Sequence, residues 1–149
     1  MSIPDAKALL NTAPVGRLGL SNHDRPYVVP VNFVYMNDAI FVHSAPYGKK
    51  LRILQANPTC CMEVDEMLGF ICCDTPYQCG VYYRSVIASC TTKWVTDTEE
   101  KHKALTAFTE KYACDGTEPC FTDDMLDAVI VVKFNIDERS GKKHVPSQR

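Results

Sequence analysis

Between His43 and Lys50 the chain reads His-Ser-Ala-Pro-Tyr-Gly-Lys-Lys, and the chemistry of that run is capture of an anion. His43 and Ser44 end an apolar stretch, a glycine turn follows, and two lysines open a segment, Gly48 to Ala56, that suits a short helix closed by Asn57-Pro58. N–H groups at a helix start attract anions, and here a hydroxyl and two ammonium groups are added. Lysines normally favour the other end of a helix, so their position is a local cost that a bound phosphate-sized anion would remove. The alternative reading is a solvated charge pair beside a loop. A second basic point is Arg84-Ser85, set between Tyr82-Tyr83 and Val86. A guanidinium fork there suits a phosphate, and an edge-exposed pair suits the same sequence.

Other chemistry-bearing patterns are absent from the sequence. There is no Ser-His-Asp order, H-E-x-x-H, Walker loop or G-x-G-x-x-G. Gly16-Arg17-Leu18-Gly19 has the wrong spacing for a dinucleotide loop. The eight cysteines, at 60, 61, 72, 73, 79, 90, 114 and 120, form no C-x-x-C pair. Adjacent cysteines on a strand point to opposite faces and chelate poorly. Cys60, Cys61 and Cys90 sit in apolar, β-rich surroundings and read as small hydrophobes. Cys72, Cys73 and Cys79 fall in a loop-like stretch and are the candidates for reactive thiols. His23, His102 and His144 read as exposed, and Asp123-Asp124 and Glu99-Glu100 as helix-start charges.

The elements that must position the His43–Lys50 run are mostly strands. A capping box, Ser2 with Asp5, opens a helix over about 2–12 with Pro4 in its first turn. Val15 to Ser21 alternates as a strand, and Asn22 to Pro26 is a turn by composition. Tyr27 to Tyr35 is rich in β-branched and aromatic residues. Pro30 within it donates no ladder bond, which places it at an edge, at a bulge, or facing a ligand. Asn37-Asp38 then turns the chain into Ala39 to Ala45, so the two runs read as a hairpin. Thr59 to Glu66 returns to strand, 67–78 reads as loop, and Cys79 to Val95 is a long β stretch bent near Ala88 to Cys90. Asp97 caps the surest helix, to Tyr112, with Leu105, Phe108 and Tyr112 as its stripe. Ala128 to Ile136 is the last strand and Gly141 onward a polar tail. About six strands with hairpin-like connections predict a mainly β domain, an antiparallel barrel or sheet with peripheral helices.

Composition sets the outer limits. The 149 residues, 46% hydrophobic and 23% charged, fit a single domain with its own core. No apolar run approaches the ~20 residues of a membrane span. A net charge of -2 argues against nucleic acid or an anionic membrane as partner. The first residues have no basic or apolar leader, so the expected location is the cytoplasm, where thiols stay reduced.

One resemblance covers nearly the whole chain, from about Val15 through Lys143. It is carried by V-P-V-N-F-V-Y, then I-F-V-H-S-A-P-Y-G-K-K-L, then N-P-T-C-C-M-E-V-D, then Y-Y-R-S-V-I. These resemble the pyridoxamine 5′-phosphate oxidase-like superfamily, and within it the nitroimidazole-resistance and flavin-nucleotide-binding branch. The resemblance implies a six-stranded antiparallel split β-barrel in Greek-key order, and a homodimer with FMN at the subunit interface. It implies that Val29, Pro30, Val31, Asn32 and Phe33 line the isoalloxazine, partly through backbone groups. Val42, His43 and Ser44 would follow the ribityl chain and ring, Lys49 and Lys50 would hold the phosphate, and Arg84 and Ser85 would reach the flavin from one subunit or the other. His43 would be the residue implicated in activity, with a small molecule, such as a nitro compound, as electron acceptor.

The chain also departs from the family. It lacks the C-terminal Trp and Arg segment of the biosynthetic oxidases, and Trp94, its single tryptophan, reads as packing over the barrel end or shaping a pocket. Lys49 stands where Arg is common, and Cys90 where a small residue often follows R-S-V. The rival readings are a flavin carrier or sensor without turnover, and another cofactor, such as a deazaflavin or heme held by His43, on the same barrel.

Overall fold

The structure, a computed structural model, describes residues 1–113 and 116–146. The chain order is α1 (Ile3–Thr12), β1 (Gly16–Asn22), β2 (Arg25–Val31), β3 (Val34–Met36), β4 (Ala39–Ser44), α2 (Lys49–Ala56), β5 (Thr59–Ile71), β6 (Gly80–Trp94), α3 (Thr98–Tyr112), α4 (Asp123–Asp127) and β7 (Ile130–His144). All seven strands join one antiparallel sheet in the order β2-β1-β5-β6-β7-β4-β3. Laid flat, seven strands would span about 29 Å. Yet the two edge strands, β2 and β3, are joined through Asn32 and Phe33 alone, a link that reaches roughly 10 Å. The sheet therefore curls until its edges meet, and the fold is a split barrel.

The seventh strand comes from dividing the 27–35 run. Its composition is β throughout, but β2 pairs with β1 while β3 pairs with β4, and the break falls at Asn32–Phe33. The hairpin expected of the whole run is thus confined to Val34–Met36 against Ala39–Phe41. Two further expectations need correction. β5 continues to Ile71, into the segment read as loop, and β7 continues to His144, into the segment read as tail. Both extensions pair with β6, as in Phe70 with Val81 and Gly141 with Val86. Backbone ladders there need no apolar face, so the hydrophobic pattern is silent about them. The bend expected near residue 89 is present as a register shift between Ser89 and Cys90 against β7.

Two cores flank the sheet. Ile40 and Val42 of β4 point into the barrel with Leu18, Phe33, Met62, Phe134 and Leu9 of α1. Ala39 and Phe41, alternating with them, point outward to Leu105 and Phe108 of α3. Gly16 is required by the inner core, since a Cβ there would lie 2.7 Å from Met62 Sδ. α1 is capped as expected, its Asp5 N–H donating to Ser2 Oγ at 3.2 Å.

Candidate functional site

His43 lies at the end of β4, on the outward face that Phe41 begins. Its ring meets Phe108 edge-on, with centroids 4.5 Å apart. Together with Asn32, Thr109 and Tyr112 it borders an open groove of about 430 Å³, within the usual range for small-molecule sites. Desolvation, and then the charge of Lys50, hold the His43 pKa below its ordinary value, which favours the neutral imidazole.

Lys50 is itself half-buried, and that burial lowers its pKa. Among the described residues no carboxylate pairs with Lys49 or Lys50. The helix they open stands apart from the others. Side chains of Ser2, Asp97 and Thr122 cap α1, α3 and α4, each with acidic residues in the first turn. α2 has Gly48 at its N-cap, no side-chain cap and no acid. Gly48 holds φ 138°, which only glycine adopts readily, so a capping side chain is excluded by the backbone itself. The two lysines differ: Lys49 Nζ sits 4.3 Å from the Tyr27 ring centroid, beside a small hollow lined by Asn22, Arg52 and Ile53, while the Lys50 charge is felt by His43.

The barrel's split borders the same region. β3 pairs with β4 only as far as Phe41, and β2 has β1 as its single neighbour in the sheet. The edges of β2 at Val29–Pro30 and of β4 at His43–Ser44 therefore offer backbone groups to a ligand. Pro30, exposed on β2, occupies such an edge, one of the alternatives its sequence allowed. Val31, Phe33 and Val42 are only 7%, 0% and 1% exposed, main chain included, so in this subunit the open part of the two edges is Val29, Pro30, His43 and Ser44. Phe33 has little left to offer. Its N–H donates to Tyr112 Oη at 3.0 Å, and its carbonyl accepts from Lys111 Nζ at 3.0 Å and from Tyr112 Oη at 2.8 Å.

Lys111 and Tyr112 are the residues that sequence reading missed in this role. They clamp the β2–β3 crossover, with Tyr112 also 2.9 Å from the Pro14 carbonyl and Lys111 4.0 Å from the Phe33 ring centroid. Burial pulls the Lys111 pKa down to about 8. The helical stripe of Leu105, Phe108 and Tyr112 was the available signal, but a stripe alone reads as core.

Arg84 and Ser85 stand elsewhere. Arg84 Nε donates to Glu66 at 2.9 Å on β5, and in the β6–β7 register it faces Lys143. His43 faces Val131 on the same β7. From Val131 to Lys143 the contour is about 40 Å at ~3.3 Å per residue, so within one chain the two sites occupy opposite ends of the sheet. Trp94, expected to pack, is 38% exposed at the end of β6. Cys60 and Cys90 are buried, directly opposite one another, while Cys72, Cys73, Cys79 and Cys120 are exposed. Cys114 lies outside the described residues. No group of three or more His, Cys, Asp or Glu able to hold a metal occurs among the described residues, and no helix among them is long and apolar enough to cross a membrane.

Fold and site together define a class, a small antiparallel split barrel with an anion-attracting helix start beside its split edge. The chain belongs to the pyridoxamine 5′-phosphate oxidase family, which it matches over residues 4–143. Among solved structures it is similar to one designated a 5-nitroimidazole antibiotic resistance protein from Bacteroides thetaiotaomicron, at 27% identity and TM-score 0.79, covering 94% of this chain and 82% of that one. The fold recurs in an FAD-binding protein from Mesorhizobium loti, at 22% identity and TM-score 0.72, covering 97% and 96%. It recurs again in the FAD and heme binding protein from Mycobacterium smegmatis, at 20% identity and TM-score 0.83, covering 99% and 75%. No curated protein matches the chain.

Proposed function

We propose that this protein binds FMN and passes electrons from the reduced flavin to a small acceptor of the nitro-compound type. The observation that carries the reading is the start of α2: a helix end without a side-chain cap, two lysines that pair with no carboxylate among the described residues, and a half-buried ammonium whose charge reaches His43. A terminal phosphate answers each of these at once. The free edges of β2 and β4 suit the polar rim of a flat ring, and the groove beside His43 has room for a ligand. FAD appears in the names of two of the structural neighbours above and nitroimidazole resistance in that of another, which supports a flavin, while the choice of FMN rests on the start of α2.

Bound flavin would supply the electron transfer. The chain's own residues would do the rest. Lys50 and the first N–H groups of α2 hold the phosphate, with Lys49 at its outer side. Neutral His43, its ring orientation set by Phe108, presents one nitrogen as donor or acceptor to a molecule in the groove. The placement of Arg84 and His43 opposite well-separated positions of β7, Lys143 and Val131, supports a homodimer, in which Arg84 and Ser85 of a second copy reach the flavin held by the first.

Flavin absorption bands in freshly purified protein, followed by titration of the apoprotein, test this. Lys50→Ala is expected to weaken FMN at least about tenfold and riboflavin less than about threefold, since a charge-assisted contact is worth about 1.5–3 kcal/mol. Equal loss for both ligands would remove Lys50 from the phosphate. Flavin that is bound but never oxidised by a nitroimidazole after anaerobic reduction would favour a carrier.

A further inference from the structure

The hairpin joining β5 to β6 carries three of the eight cysteines, and Cys72, Cys73 and Cys79 are all exposed. A single 3-10 turn at Pro76–Gln78 reverses the chain between them, closed by Gln78 N–H donating to the Thr75 carbonyl at 3.0 Å. Two of the thiols then meet each other's main chain. Cys79 Sγ lies 3.5 Å from the Cys73 carbonyl oxygen, and Cys73 Sγ lies 3.6 Å from the Gln78 carbonyl oxygen, in the peptide that leads into Cys79. A carbonyl oxygen is about 2.4 Å from its own Cα and about 2.3 Å from the next nitrogen, so each sulfur is within roughly 6 Å of the other residue's backbone. A disulfide needs the sulfurs about 2 Å apart, so the two side chains must still rotate toward each other within the hairpin to form one.

The remaining cysteines fit less well. Cys72 is adjacent to Cys73, and neighbouring side chains in extended chain point apart. Cys60 and Cys90 face each other, but in the core, closed to a reagent. Beside the exposed pair lies an apolar hollow of about 530 Å³ bordered by Phe70, Ile71 and Val81. It suits the organic body of a small molecule better than a bare ion, and no metal-holding cluster occurs among the described residues.

We propose that Cys73 and Cys79 are a dithiol site that is oxidised reversibly by low-molecular-weight organic disulfides. A thiolate of the pair attacks the reagent's S–S bond, which breaks and releases one thiolate, leaving a mixed disulfide on the protein. The second cysteine, deprotonated, attacks the protein sulfur of that mixed disulfide, forms the Cys73–Cys79 bond and releases the second thiolate. The pair loses two electrons and two protons, and the reagent is reduced to two thiols. The site lies on the hairpin beyond Arg84, and it operates whether or not the α2 site binds flavin.

The test is intact mass and peptide mapping of the full chain after exposure to oxidised glutathione. The wild type is expected to lose two hydrogens, to map a 73–79 link, and to regain the hydrogens with excess reduced dithiothreitol. In Cys73→Ser and Cys79→Ser the remaining cysteine of the pair should stop at its glutathione adduct, and Cys72→Ser should form the 73–79 link as wild type does. A link involving Cys72, a link between Cys60 and Cys90 alone, a wild type that accumulates only the adduct, or no reaction would overturn the proposal. The wild-type map decides it even if a serine variant folds poorly.

Discussion

The two ends of the long strands contrast sharply. Where β4, β7 and α3 meet, side chains are packed on both faces of the sheet, and His43 and Lys50 are held at partly desolvated positions that shift their pKa values. Where β5 and β6 run on past the barrel, large apolar side chains stand in solvent: Phe70 is 72% exposed and Tyr77 85%. Polar residues there pair one with another, as Arg84 does with Glu66. The packed end can position a ligand because the strand that carries His43 is fixed by core on both faces and its ring rests on Phe108. The projecting end has reactive and sticky groups without a second layer over them, which is what a surface for exchange or association requires.

That contrast can be broken first by deletion in each region. Phe134→Ala, in the inner core at 0% exposure, should cost about 3–5 kcal/mol, while Phe70→Ala should stay within about 0.5 kcal/mol of wild type in the isolated subunit. Urea unfolding at matched protein concentration compares them. A large loss at Phe70 that depends on concentration would mean the projecting end is already covered by another copy.

Tyr112→Phe sharpens the same comparison at the crossover. It strands the buried Phe33 N–H and removes the one O–H shared between the Phe33 and Pro14 carbonyls, an expected loss of about 1–3 kcal/mol. A change near zero would show that the β2–β3 link needs no clamp from α3.

The smallest effect is a pH dependence. Burial depresses the Lys111 pKa to about 8 from an ordinary 10.5. Between those values the unfolded chain holds more protons than the folded one, so stability should rise with pH across that window. The penalty is present in full below about pH 8. Lys111→Met should flatten the slope in that window, and an unchanged slope would place its origin in another group.

Much of this was legible in local pattern. The α1 cap, the α3 stripe and the anion-like His43–Lys50 run depend on neighbours within a few residues, and each stands where the pattern puts it. The alternation of Ile40, Phe41, Val42 and His43 also encodes which face each takes, and so sends the Val42 and His43 side chains to opposite sides. What was not legible depends on partners far along the chain. The run from 27 to 35 is uniformly β in composition, and its break at Asn32–Phe33 arises because Lys111 and Tyr112 capture the Phe33 peptide.

By itself, then, the sequence determined a mainly β domain, its helix starts, and a short helix opened by two lysines, because capping and alternation act through adjacent residues. Tertiary structure alone decided that the sheet's edges meet across two residues, that His43 shares a groove with Tyr112, and that Arg84 lies at the far end of the sheet. Those outcomes follow from strand register, which is summed over the β5, β6 and β7 pairings and is written in no single segment.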